Sequence, residues 1–437
     1  MISSLVFIVL VLIVSFFSVK RFGRIYKNIR LGKEYTNDAP TSTKIENLLL
    51  IAFGQKKMFS RPIPAIFHFF IYAAFLMTQV ELLEIIIDGI FGTHRAIGHS
   101  IINCCPSLYL GLINFVELLN ALAFVATIIF LSRRNLLKLP RLNMAELKGW
   151  PMKDANFILI GEIFLVCGIF LMNAAESQLA SRGVYEYRFM LSSILGTIFQ
   201  NTSETTLHFL MQFGWWMHLL GILGFILYLP FSKHLHIFLA FPNAYLSSDK
   251  PKGTIPYMPE IFKEIQSMMN PEMAPSDSEI QEIPKFGARD VFDLSQKNLL
   301  DAYACTECGR CTSSCPANQT GKLLSPRKIM MATRDRLEEV GNLLDANNNE
   351  WKEDGKSLLH DYISVEELRG CTTCNACVEE CPVNISPLDI IVQLRRNLIM
   401  EESNSPQEWN AMFGNIENNG APWKFAQSER ANWADKI

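Results

Sequence analysis

Apolar positions in this chain follow two regimes. Through residue 240 they run in long blocks with few interruptions; beyond it they are interleaved with charge, Pro and Asn. Five blocks each hold about 20 mainly apolar residues, enough for a helix to cross a bilayer. They lie near residues 2–19, 62–87, 107–132, 155–174 and 206–230. The stretch 242–300, with "SSDKPKGTIPYMPE" and "MNPEMAPSDSEIQEIPKFGARD", carries breakers and charge. It reads as a connection over the membrane face with a short helix near 259–269. Further on, "SPRKIMMATRDRLEEVGNLLD" and "SPLDIIVQLRRNLIMEE" have helical periodicity, a Ser at the N-cap and Pro in the first turn. The pattern predicts an all-α chain. A five-helix transmembrane bundle (1–240) leads through a linker (241–295) to a compact helical domain (296–405) and a tail (406–437).

Charge orients the bundle. Lys and Arg number ten in the segment 20–61 and six in 133–154, but one in 88–106 and two in 175–205. Cationic loops stay on the cytoplasmic side, so the N-terminus is expected outside and the C-terminal half in the cytoplasm. No cation precedes the first apolar block and no small-residue cleavage site follows it, so a retained anchor is expected rather than a signal peptide. A bacterial cytoplasmic (inner) membrane suits this plan. Net charge is −3, which gives no sign of nucleic acid as a partner.

Eight of the eleven cysteines fall within residues 305–381. In a charged, soluble-looking region this density implies metal in a reduced compartment rather than disulfides. The eight form two copies of one run, Cys-x2-Cys-x2-Cys-x3-Cys-Pro: "CTECGRCTSSCP" from Cys305 and "CTTCNACVEECP" from Cys371. Thiolates at this spacing suit soft iron, and in two-cluster ferredoxins the fourth cysteine of each run ligates the other cluster. On that pattern Cys305, Cys308, Cys311 and Cys381 hold one 4Fe-4S cluster, and Cys371, Cys374, Cys377 and Cys315 the second. Structural zinc is the competing reading, disfavoured by two complete copies. Cys104, Cys105 and Cys167 carry no such pattern.

Histidine supplies the other candidate chemistry. His218 and His236, 18 residues apart, would share one helix face at roughly 27 Å, with His236 just past the inner end of the fifth block. His68 lies near the inner end of the second. His68 and His236 are therefore candidate axial ligands of a b-type haem in the bundle core. His234 is expected to point away from His236, since residues two apart diverge by about 200° on a helix. Glu81, Glu84 and Asp88 line one face of the second block, and Glu117 and Glu162 lie inside the third and fourth. Such acids either face a polar cavity or quinone pocket and relay protons, or are satisfied by hydrogen bonds between helices.

"YLPFSKHLHIF", the 18-residue spacing and the five blocks resemble the cytochrome b (gamma) subunit of respiratory nitrate reductase. Membrane subunits of heterodisulfide reductase belong to the same broad superfamily. The resemblance implies an inner haem on His68 and His236, and an outer haem on His218 with a histidine ten residues after His68, where this chain has Thr78. His94, His99 and Met77 are substitutes among which the sequence does not choose. "CGRC…CPANQTGKLLSPRKI" resembles the α-helical ferredoxin domain of heterodisulfide reductase and anaerobic glycerol-3-phosphate dehydrogenase subunits. The closing "NIENNGAPWKFAQSERANW" resembles the segment that leads into a CCG-motif domain in fused relatives, so a separate CCG-type subunit is an expected partner.

Together these features imply a membrane electron-transfer subunit of a quinone-linked oxidoreductase complex. It would connect a quinone such as menaquinone, haem b and two 4Fe-4S clusters with a CCG-type subunit or electron-transferring flavoprotein. A haem-free membrane-anchored ferredoxin and a redox sensor or scaffold are the rival readings. No Gly-rich nucleotide fingerprint is present, so flavin or NAD is not expected on this chain.

Overall fold

The computed structural model describes residues 2–102, 104–185, 187–251, 253–270, 285–429 and 431–436. The centre of the expected linker, 271–284, lies outside them. Among the described residues the architecture is all-α, with two isolated β-bridges, Lys33 to Ser295 and Leu359 to Ile363. Among these residues five helices are long and apolar enough to cross a membrane: Ile2–Ile29, Pro62–Phe91, Pro106–Asn135, Trp150–Ser181 and Glu204–Phe231. Each exceeds its apolar block because polar turns extend it at one or both ends.

The second span bends. It consists of Pro62–Met77 and Gln79–Phe91, joined at Thr78. Both the Thr78 hydroxyl and the Gln79 amide donate to the carbonyl of Phe75, at 3.1 and 2.8 Å. Side-chain donors competing for a helical carbonyl bend the helix there. The fourth and fifth spans touch at glycines. A Cβ on Gly214 would sit 2.7 Å from the Met172 backbone nitrogen, and one on Gly168 would sit 3.0 Å from that of His218. Small residues permit this backbone approach, which sets His218 against the fourth span.

The fifth span ends differently from the sequence expectation. Its helix closes at Tyr228, and the chain makes tight turns at Leu229–Phe231 and Lys233–Leu235 before a new helix, His236–Tyr245. Pro230 has no N–H to continue the ladder. Ser232 is extended, and its hydroxyl accepts from the His234 backbone N–H at 2.9 Å. His218 and His236 therefore do not share a helix face.

Helices Gln296–Ala304, Pro326–Ala346 and Pro387–Met400 frame the cysteine-bearing region. Ser295, Ser325 and Ser386 cap them through their side chains, and Pro opens the last two, as the Ser-Pro pattern predicts. The core between them includes Leu299, Ile329, Met330, Leu337, Ile390 and Leu394, together with Ile25 of the first span and Leu235. The short amphipathic helix expected near 259–269 is Pro259–Met269.

Candidate metal centres

The two cysteine runs adopt the same local geometry. Glu307 and Thr373, at corresponding places, both have φ of 55°, and Gly309 and Asn375 follow at 71° and 62°. Left-handed backbone is costly for a side chain and persists where the surroundings demand it. Here it turns backbone N–H groups toward sulfur. Glu307 N lies 3.5 Å from Cys305 Sγ, Thr373 N 3.4 Å from Cys371 Sγ, and Ile385 N 3.3 Å from Cys381 Sγ.

Cys305, Cys308, Cys311, Cys377 and Cys381 wall one cavity with Met330, Pro382, Val383, Ile385 and Pro387. Burial pushes the thiols of Cys305 and Cys377 up to about 12 and that of Cys381 to about 11. After burial, the next influence separates the cysteines by partner. Cys311 faces Cys308, Cys305 and Cys381, with Cys377 a lesser neighbour. Cys377 in turn faces Cys371, Cys315 and Cys374. Thiols in such surroundings become thiolates only beside a cation, and an opening walled by them with amides aimed at sulfur fits an iron–sulfur cluster. Cys374 is exposed while Cys315 and Cys377 are buried, so the second group reaches the protein surface.

The histidines divide by ring nitrogen. His68 Nδ1 lies 3.0 Å from Gln55 Oε1, His218 Nδ1 2.9 Å from the Leu165 carbonyl, and His236 Nδ1 3.1 Å from the Lys233 carbonyl. A carbonyl only accepts, so Nδ1 carries the proton and Nε2 keeps its lone pair, the tautomer of an Nε2 metal ligand. His94 and His360 instead turn Nε2 to Glu176 and Glu402. His234 stacks on His236 with ring centroids 5.3 Å apart and planes at 25°, contrary to the divergence expected on a helix. The tight turn at Lys233–Leu235 is the cause. Burial and the facing rings of His236 and His68 push the His234 imidazole down to about 3. His68, His234 and His236 thus meet at one end of the bundle, and half-buried imidazoles from two helices fit a b-type haem. His218 lies apart from them, in the middle of the fifth span.

Most span acids are satisfied. Glu84 accepts from Tyr109 and from the Gly98 backbone, Glu117 from Leu191 N and Ser192 N, Asp88 from Thr93, Arg95 N and Ala96 N, and Glu162 from Thr127. Bonding between helices is the reading these four take. Glu81 differs: its Oε2 is buried and accepts no hydrogen bond from the described residues.

Two four-cysteine runs folded on one template form the decisive feature. Residues 304–385 match the family model of the 4Fe-4S dicluster domain. The chain is also similar to the probable iron-sulfur-binding oxidoreductase FadF of Bacillus subtilis, at 28% identity over 98% of this chain and 60% of that protein. It is 26% identical to the EtfAB:quinone oxidoreductase of Syntrophomonas wolfei, over 93% of this chain and 56% of the relative. A third relative is one of the subunits of the ferredoxin/F(420)H(2)-dependent CoB-CoM heterodisulfide reductase of Methanosarcina acetivorans. It is 31% identical over 26% of this chain and 56% of that relative. The chain therefore spans less than two thirds of the length of these relatives. No solved structure matches.

The dicluster region docks on the ends of the spans through groups the sequence did not nominate. Arg21 pairs with Glu338 at 2.8 Å and Arg61 with Glu380 at 2.9 Å. Arg141 donates to the Cys308 carbonyl at 2.7 Å, and the fully buried Arg327 pairs with Glu146 at 2.6 Å. Lys233 pairs with Glu307 at 2.5 Å, joining the turn that carries His234 to the first cysteine loop. Burial works to raise the Glu307 carboxyl, but Arg334 and Lys233 outweigh it and hold it below the usual range. Nothing local marked Glu307 except a charge where the second run has Thr373.

Proposed function

We propose that this chain is the membrane electron-transfer subunit of a quinone-linked oxidoreductase. Cys305, Cys308, Cys311 and Cys381 hold one 4Fe-4S cluster, and Cys371, Cys374, Cys377 and Cys315 the second. His68 and His236 ligate a b-type haem. His218, whose Nδ1 is engaged by the Leu165 carbonyl and whose Nε2 keeps its lone pair, is the candidate ligand of an outer one. When bound, these groups supply one-electron redox chemistry at potentials the protein tunes. The chain's own residues do the rest. Gln55 and the Lys233 carbonyl orient the imidazoles, backbone amides face the thiolates, and the Lys233–Glu307 pair fixes the two sites relative to each other.

The observation that carries this reading is the juxtaposition of the first cysteine loop with the histidine turn, joined by that buried ion pair. The second cysteine group, with Cys374 exposed, is where a soluble partner exchanges electrons: a CCG-type iron–sulfur subunit or an electron-transferring flavoprotein. The names of two relatives, an EtfAB:quinone oxidoreductase and a heterodisulfide reductase subunit, support the partner classes and the quinone. The excess of Lys and Arg at the end that docks the dicluster region supports a cytoplasmic face of a bacterial inner membrane for it. The N-terminus then lies outside.

The test is a dithionite-reduced minus oxidised optical spectrum of the detergent-purified chain, with haem counted per protein, on wild type, His68→Ala and His236→Ala. Haem should be present in the first and lost in both variants while the cluster signals remain. Cluster-loaded wild type without haem would leave a membrane-anchored ferredoxin.

A further inference from the structure

The two cysteine runs fold alike but do not carry the same charges. Arg310, just before Cys311, corresponds to Ala376 in the second run. It is 3% exposed and lines the cavity walled by Cys305, Cys308, Cys311 and Cys381. Its guanidinium donates to the Lys57 and Met58 carbonyls, at 3.3 and 3.5 Å, in the turn Lys56–Ser60 that leads into the span of His68. Arg141, in the loop between the third and fourth spans, donates to the Cys308 carbonyl at 2.7 Å. Among the described residues neither arginine meets a carboxylate at ion-pair distance; both bond to neutral backbone carbonyls. Arg95, Arg327 and Arg336, also buried, each have one, in Glu176, Glu146 and Asp290. Glu380, whose charge reaches Arg310, is taken by Arg61 at 2.9 Å. Lys233 and Arg334, at the same cysteine loop, are shared with Glu307. Arginine stays charged in proteins, and a buried charge without a counter-charge is costly. Burial lowers the pKa of the Arg310 guanidinium, and Cys308 is the first group to oppose that. The counter-charge for this buried cation is therefore the first group of thiolates.

We propose that Arg310, seconded by Arg141, holds up the reduction potential of the first 4Fe-4S cluster and so keeps it within reach of the second. The inference rests on the ligand sets proposed above and adds residues that set a potential. One electron passes between the clusters: the donor is oxidised by one unit, the acceptor becomes one unit more negative, and no proton moves. Burial disfavours the more negative state. No cysteine of the first group is exposed, whereas Cys374 of the second is. Left alone, the first cluster would therefore lie below the second and refuse the electron. A fixed cation beside it acts in the opposite sense. At an effective ε of about 20, one unit charge about 10 Å from a redox centre biases a one-electron step roughly tenfold. The second group has less need of such help. Arg395 donates to the Leu368 and Cys371 carbonyls there, and solvent reaches Cys374.

The test is a redox titration followed by electron paramagnetic resonance on the full, cluster-loaded chain in detergent, on wild type, Arg310→Gln, Arg310→Lys and Arg141→Gln. A Cys374→Ser variant marks which signal belongs to the second cluster. In Arg310→Gln the one-electron equilibrium of the first cluster should fall about tenfold, a potential about 59 mV lower, while the second moves by less than half as much. Arg310→Lys keeps the charge and should restore most of the loss. Arg141→Gln should shift the first cluster in the same direction by less. An unmoved first potential in Arg310→Gln, or an equal fall in both clusters, overturns the proposal. Arg310→Lys as low as Arg310→Gln would make the effect one of shape, not charge, and overturns it as well. If Arg310→Gln loads no first cluster, Arg141→Gln decides alone, and an unmoved first potential there is the overturning result. Iron and sulfide content report separately on the ligand sets: a chain that loads no cluster on these runs sinks those assignments and this inference together, whereas loaded clusters with unmoved potentials sink the inference alone.

Discussion

Gln55 holds the ring of His68 through a side-chain amide, from a buried position with φ of 50°. Partners that fix a ligating imidazole's tautomer are worth about 10–100-fold in metal affinity. Gln55→Ala should therefore lower haem affinity by that factor in a titration of haem-free protein, and Gln55→Glu, which keeps an acceptor for Nδ1, should restore much of it. Equal affinity in wild type and Gln55→Ala would show that His68 needs no such support. Gln55 was not legible in the sequence, because an ordinary polar residue in a loop carries no signature of the ring it will meet. The cysteines and His68, His218 and His236 could be nominated beforehand because metal chemistry needs fixed residue types at fixed spacing. Lys233 and Glu307 could not, since 74 residues separate them and only the fold brings them to 2.5 Å.

Among the elements, the loops joining the spans carry more structural work than their composition suggests. Glu146, in the loop between the third and fourth spans, reaches the buried Arg327 and the Ser325 hydroxyl at the start of Pro326–Ala346. Removing one partner of a buried pair strands the other, so Glu146→Ala should cost about 3 kcal/mol, read as a lower melting temperature of the purified protein. Burial works to raise the Glu146 carboxyl, but Arg327 prevails and holds it below its usual 4.5. Its contribution is therefore full above pH about 4.5 and is lost as pH falls through the depressed value. The melting-temperature gap between wild type and Glu146→Gln should narrow as pH drops from about 5 to 3. A gap that stays constant would mean that the charge on Glu146 does not matter. Helix starts in this region were readable in advance, because Ser followed by Pro encodes a cap and a first turn locally. The end of the fifth span was not: Pro230 signals a break, but only Ser232 and its bond to His234 N determine the turn that stacks His234 on His236.

For the whole molecule, charge and docking bear on one another. Several cationic groups at one end of the bundle pair with carboxylates of the dicluster region: Arg21 with Glu338, Arg24 with Asp345, Arg61 with Glu380 and Lys233 with Glu307. An orientation argument that counts Lys and Arg assumes those charges face the membrane–water boundary, whereas here several are neutralised by the protein's own acids. Orientation therefore needs a readout that does not depend on charge. Cys104 and Cys105 provide it: both are exposed, and they lie just before the third span, at the end opposite the docked region. In sealed right-side-out vesicles a membrane-impermeant maleimide should label wild type without permeabilisation, and the Cys104→Ser, Cys105→Ser double variant should lose that label. Labelling that appears only after permeabilisation would put this end inside the cell. The clusters would then exchange electrons on the outer face, and the partner would have to be an extracytoplasmic protein.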